Sequence, residues 1–87
     1  MSRYRISIQR DALRALAKLD KPVRRRIQTA IDRLADDPRP AGVRALTGRP
    51  GVLRLRVGDY RVIYQVHDLK LLVLVVDLGH RSAIYRD

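Results

Sequence analysis

Three arginines stand close enough along the chain to act on one ligand: Arg54, Arg56 and Arg61, on either side of Gly58-Asp59. Leu53-Arg54-Leu55-Arg56-Val57 alternates apolar and cationic side chains, and Tyr60-Arg61-Val62-Ile63-Tyr64-Gln65-Val66 is rich in β-branched and aromatic residues. Both runs read as strands. The Gly-Asp link reads as a hairpin turn, because glycine supplies the positive φ that tight turns need. Closure there sets Val57 against Tyr60, Arg56 against Arg61, Leu55 against Val62 and Arg54 against Ile63. Leu55, Val57, Tyr60, Val62 and Tyr64 then share a core face, and Arg54, Arg56, Arg61 and Gln65 share the other. Directly opposed arginines repel. A fold tolerates that cost more readily where the face binds an anion, and guanidinium groups grip phosphate in bidentate fashion. A polyphosphate backbone is therefore the natural ligand, and a solvated, arginine-rich face is the plainer alternative.

Downstream lie His80, Arg81 and Tyr85. Cleaving RNA without a metal requires an aligned 2′-hydroxyl, stabilised phosphate charge, a base, and an acid for the leaving 5′-oxygen. Arginines supply the charge. They rarely release a proton, so the base is less obvious. His80 has a suitable ordinary pKa, and its plainer reading is a strand-end histidine bonded to backbone.

Composition narrows the class. The chain has 87 residues, enough for one domain with a single core, here expected over 1–87. It lacks cysteine, so disulfides, thiolate metal sites and thiol nucleophiles are excluded. Two histidines and no glutamate make a zinc site improbable, and neither a metal nor another cofactor is expected. The longest apolar run, Leu71 to Val76, is too short to span a bilayer, and Met1 leads straight into a strand pattern. A soluble, cytoplasmic protein with no membrane partner is expected. Nineteen Lys and Arg against nine Asp give a net charge of +10 and a pI of about 11.2. That balance points to nucleic acid, an acidic protein partner, or both.

The rest of the chain must position these residues. Arg3 to Ile8 alternates as a first strand with Tyr4, Ile6 and Ile8 inward, and Ala12, Leu13, Leu16, Ala17 and Leu19 recur at helical spacing from Asp11. Asp20-Lys21-Pro22 breaks and restarts the helix, with Asp20 as the expected cap. The second helix is predicted from about Pro22 to Ala35, its apolar stripe formed by Val23, Ile27, Ala30, Ile31 and Leu34. Arg24, Arg25, Arg26 and Arg33 lie opposite, as an RNA or ribosome contact or as a solvated helix face. Asp36-Asp37-Pro38 ends the helix. Residues 41–51 form a glycine-rich loop carrying Arg44 and Arg49, further candidate RNA contacts, with Leu46 anchored in the core. After a turn at His67 to Lys70, Leu71 to Leu78 is apolar on both faces, as in a central strand covered on both sides and ended by Gly79. The expected fold is α+β, in the order β-α-α-β-β-β, with a twisted antiparallel sheet carrying the helical hairpin on one face.

The element order, the block Gly58-Asp59-Tyr60-Arg61-Val62-Ile63-Tyr64-Gln65-Val66 and the ending Val76-Asp77-Leu78-Gly79-His80-Arg81-Ser82-Ala83-Ile84-Tyr85 resemble the RelE/ParE superfamily of type II toxin–antitoxin toxins. The pattern is most like the RelE branch, whose members cut mRNA in the ribosomal A site. The resemblance implies substrate alignment by Arg54 and Arg56 and transition-state stabilisation by Arg61. It implies leaving-group stabilisation or acid catalysis by Arg81, and base stacking by Tyr85. Arginines stand where that branch often has lysines before the turn, which leaves base catalysis at Arg54 or Arg56 open. YoeB-type toxins use a glutamate base, and a chain without glutamate cannot. Also implied are a cognate acidic antitoxin, the ribosome and mRNA as partners, and operator DNA reached only through the antitoxin. A ParE-like inhibitor of DNA gyrase and a catalytically weak antitoxin-binding module are the alternatives.

Overall fold

The computed structural model describes residues 3–80. Arg81 and Tyr85 lie outside the described residues. A first strand, β1 (Arg5–Ile8), leads into helices α1 (Arg10–Ala17) and α2 (Lys21–Arg33). Strands β2 (Arg44–Ala45), β3 (Val52–Val57), β4 (Tyr60–His67) and β5 (Leu72–His80) follow, with a 3-10 turn at Asp68–Lys70 before β5. The sheet runs in the order β1-β5-β4-β3-β2.

Both helices pack on one face of this sheet. Ala12 and Leu16 from α1, and Ile27 and Ile31 from α2, meet Val62, Tyr64, Val73, Val75 and Leu78 in one buried cluster. These are the apolar stripes of the helices and the inward positions of the strands, so period 3.6 meets period 2 across the core. Between the helices, Asp20 stands at the cap position of α2 with extended backbone, but its carboxylate makes no capping hydrogen bond. Its carbonyl accepts from the Arg24 N–H at 2.8 Å, and its charge favours the positive helix start. The last turn tightens after Arg33, where Leu34 and Ala35 donate to the carbonyls three residues back.

The sheet departs from expectation in three ways. First, β1 pairs with β5 in parallel, so only the other pairings are antiparallel. Carrying the chain from β1 through a helical hairpin returns it across the sheet, and β5 takes up the partner position last. Second, Arg44–Ala45 forms a two-residue edge strand against Leu53 and Arg54 inside the expected loop. Leu46 is buried as expected, but with Val52, Ile63 and Val76 on the face away from the helices. Third, β5 runs on through Gly79 to His80 and is fully covered only on the helix side, where Val73, Val75 and Leu78 are buried.

The spacing of those three residues reveals a bulge. Tyr64 pairs with Val75 but Ile63 pairs with Asp77, so Val76 is the extra residue. The alternation of β5 changes phase there.

A polar clasp closes the end of the sheet near Leu71. The Arg39 guanidinium donates from Nη1 and Nη2 to both Asp68 oxygens at 3.1 and 2.9 Å, and the Tyr4 hydroxyl donates to Asp68 Oδ1 at 2.7 Å. This joins the loop after α2 and the start of β1 to the β4–β5 turn. Donation by Arg39, then by Tyr4, holds the Asp68 carboxyl down at about 2 from an ordinary 3.8. Asp68 in turn keeps the Tyr4 hydroxyl above its ordinary value. A depressed folded-state value means the clasp is fully stabilising above the unfolded carboxyl's range and is lost as pH falls through about 2. Thermal melts between pH 5 and pH 2 are therefore expected to fall more steeply for the wild type than for Asp68→Asn, with the two curves converging at the acid end.

Candidate functional site

The β3–β4 hairpin closes as its sequence requires, with Val57 against Tyr60, Arg56 against Arg61, Leu55 against Val62 and Arg54 against Ile63. Gly58 sits at φ +60°, in the left-handed region, and a Cβ there would approach Arg26 Nη2 to 3.1 Å. Glycine is needed twice over: for the turn and for the guanidinium laid against it. On the other side of the same turn, Arg56 Nε donates to the Gly58 carbonyl at 3.2 Å, fixing the base of that side chain.

Across the face opposite the helices the register builds two rows. Arg44, Arg54, Ile63 and Asp77 form one, and Arg56, Arg61 and Gly79 form the next. Arg44, expected only as a loop contact, is thus drawn beside Arg54 by the β2 edge strand. Four arginines share one surface with the Leu46, Val52, Ile63 and Val76 cluster. Arg61 is partly enclosed, with Nε and Nη1 shut off from solvent. Gly79, directly across from Arg61, places no side chain beside it. Such a surface concentrates positive charge over an apolar base, which strengthens its hold on an anion relative to a fully solvated array.

His80 is placed elsewhere. It pairs with Tyr60, on the helix side of the sheet, and the two rings meet edge to face with centroids 5.5 Å apart. The bulge at Val76 is the physical reason: uninterrupted alternation from Val73 and Val75 would have put His80 on the arginine face. The same phase change carries Asp77 onto that face, a residue the sequence reading passed over. A buried–buried spacing of three within an extended run (Val75 to Leu78) is the signal that betrays it.

The remaining arginines divide. Arg25, Arg26 and Arg33 line a shallow cleft of about 370 Å³ between α2 and β3, with Thr29, Ala30 and Val57. β2 pairs only with Leu53 and Arg54, so no described strand covers the outer edge of β3 beside this cleft. Arg24 is turned from it and donates to the Ala17 carbonyl at 3.5 Å. Arg49 lies in the β2–β3 turn, at the opposite end of β3 from Gly58. Arg26, against Gly58, brings a helix arginine to the β3–β4 turn. Among the described residues no group of three or more His, Asp or Glu side chains could hold a metal ion.

Comparison with known proteins agrees with this geometry. Residues 6–85 match the family described as the ParE toxin of type II toxin-antitoxin systems, parDE. A putative RelE-like toxin protein of Escherichia coli is 31% identical over 92% of this chain and 85% of its own length. The mRNA interferase toxin RelE of Escherichia coli is also 31% identical, over 97% of this chain and 92% of its own. Among solved structures, the archaeal RelE–RelB complex from Pyrococcus horikoshii superimposes with a TM-score of 0.81 at 32% identity, covering 93% of this chain and 98% of that one. The intact Escherichia coli RelBE toxin–antitoxin complex gives 0.76 at 30%, covering 88% and 95%. The chain belongs to the RelE/ParE superfamily of type II toxin–antitoxin toxins and lies on its RelE branch.

Proposed function

We propose that this toxin is a ribosome-dependent endoribonuclease that cuts mRNA in the A site, without a metal, and is held inactive by a cognate acidic antitoxin. The observation that carries the reading is the pair of rows uniting Arg44, Arg54, Arg56 and Arg61 on one face of the sheet. The 2′-oxygen attacks phosphorus in line with the bond to the 5′-oxygen, giving a 2′,3′-cyclic phosphate and a free 5′-hydroxyl. Arg61, central and partly enclosed, stabilises the charge gathering on the phosphoryl oxygens. Arg54 and Arg56 hold the flanking backbone so that the attacking oxygen stays aligned. Arg81 serves the leaving oxygen, and Tyr85 stacks on a base. The α2 cleft and Arg24, Arg44 and Arg49 contact ribosomal RNA. Most of that contact is electrostatic, so binding weakens steeply with salt.

RelE relatives are solved in complex with RelB antitoxins, which supports an antitoxin partner for this chain. An acidic antitoxin segment would compete for the same guanidinium groups that bind RNA. Operator DNA would then be reached through the antitoxin, and the toxin would act in the cytoplasm.

The matching family description names ParE, which favours gyrase poisoning as the second reading. Primer extension on a defined mRNA in a purified translation system separates the two. Cuts inside A-site codons that require the ribosome, persist in EDTA and disappear with Arg81→Ala are the expected result. Absence of cuts, with gyrase-dependent DNA breaks in a parallel assay, would assign the protein to the second class.

A further inference from the structure

We infer that Asp77 is the general base of the reaction, taking the proton from the 2′-hydroxyl. The inference rests on the ribonuclease reading and fills the one role that reading leaves open. The guanidinium groups of the site stay protonated and so cannot accept a proton. His80 lies on the opposite face of the sheet, against Tyr60. The chain contains no glutamate.

Asp77 is the carboxylate that the register brings to the arginine rows. It shares a row with Arg54 and Arg44, and it is diagonal to Arg61, whose direct partner is Gly79. Diagonal neighbours on adjacent strands are about 7–8 Å apart, close enough for one nucleotide's 2′-oxygen and phosphate to lie between them. Gly79 itself places no side chain between them. Asp77 is exposed, and its Oδ1 accepts the Leu78 N–H at 2.9 Å. That bond fixes the carboxylate and leaves Oδ2 for substrate. No described cation lies within salt-bridge distance of it, although Arg44, Arg54 and Arg61 share its face and Arg10 and Asp11 open α1 beyond the adjacent β1. A carboxylate with no ion pair among the described residues, in a row with arginines and diagonal to Arg61, is what a proton acceptor next to a phosphate site requires.

In the step itself, Asp77 Oδ2 takes the proton as the 2′-oxygen bonds to phosphorus. The bond from phosphorus to the 5′-oxygen breaks, and that oxygen takes a proton from water. The carboxylic acid then returns its proton to solvent.

Asp77→Asn is the decisive variant, because an amide Oδ1 still accepts the Leu78 N–H while the group can no longer act as a base. Single-turnover cleavage of A-site mRNA at saturating toxin is expected to slow by about 100-fold or more, with ribosome affinity retained. Asp77→Glu should restore part of the rate. An Asp77→Asn rate within twofold of a wild type that cuts normally would overturn the inference while leaving the ribonuclease reading intact. A wild type that binds programmed ribosomes without cutting would overturn both.

Discussion

Arg61→Ala is expected to reduce mRNA cleavage by 100- to 1000-fold, the loss typical of removing one preorganised donor to a developing oxyanion. The fold should survive. Arg61 faces Arg56 across the hairpin, and like charges directly opposed on a sheet are themselves destabilising. Truncation relieves that repulsion, so the melting temperature should hold or rise slightly while activity collapses. Arg61→Lys discriminates further. It keeps the charge but loses the planar fork, so it should recover binding more than rate. Single-turnover kinetics beside a thermal melt checks both halves, and a loss of stability matching the loss of activity would assign Arg61 a structural role.

The largest effect on stability is expected at Tyr64. The residue is fully buried where both helices meet β4, and its hydroxyl donates to the Pro38 carbonyl at 2.7 Å. Burial pushes that hydroxyl up to about 12, so it stays neutral, and its hydrogen bond intact, through all ordinary conditions. Tyr64→Ala removes a central aromatic and leaves a cavity, at a cost of about 3–5 kcal/mol. Tyr64→Phe keeps the packing and removes only the bond that tethers the loop after α2, at about 1 kcal/mol. Urea unfolding should place Tyr64→Phe near the wild type and Tyr64→Ala at or beyond the edge of stable folding. Equal effects would mean that the loop tether, rather than the core, carries the contribution.

Local chemistry was legible wherever it was decided locally. Gly58-Asp59 fixed the hairpin, and with it every partner from Val57–Tyr60 to Arg54–Ile63. The helical stripes of Ala12, Leu16, Ile27 and Ile31 found the core that their spacing demanded. What escaped was set by contacts distant in sequence. The pairing of Arg44 with Arg54 depends on a loop folding back through Leu46. The Arg39–Asp68–Tyr4 clasp joins three segments that no period or motif connects. The placing of His80 and Asp77 turned on one surplus residue inside a strand, invisible in a run as uniformly apolar as Leu72 to Val76.

That surplus residue gives the C-terminal end of β5 a frame of its own. Substituting Val76 with another residue would leave the count, and so the facing of every later side chain, unchanged. Deleting it would remove the bulge and restore regular alternation, with Asp77 still on the arginine face and Leu78 still beneath the helices. One further residue inserted there, with no second bulge to absorb it, would instead turn Leu78 out among the arginines and drive Asp77 in beneath the helices. The identity of the bulged residue is free of that constraint, whereas the facing of Asp77 and Leu78 depends on the bulge that takes the extra residue up.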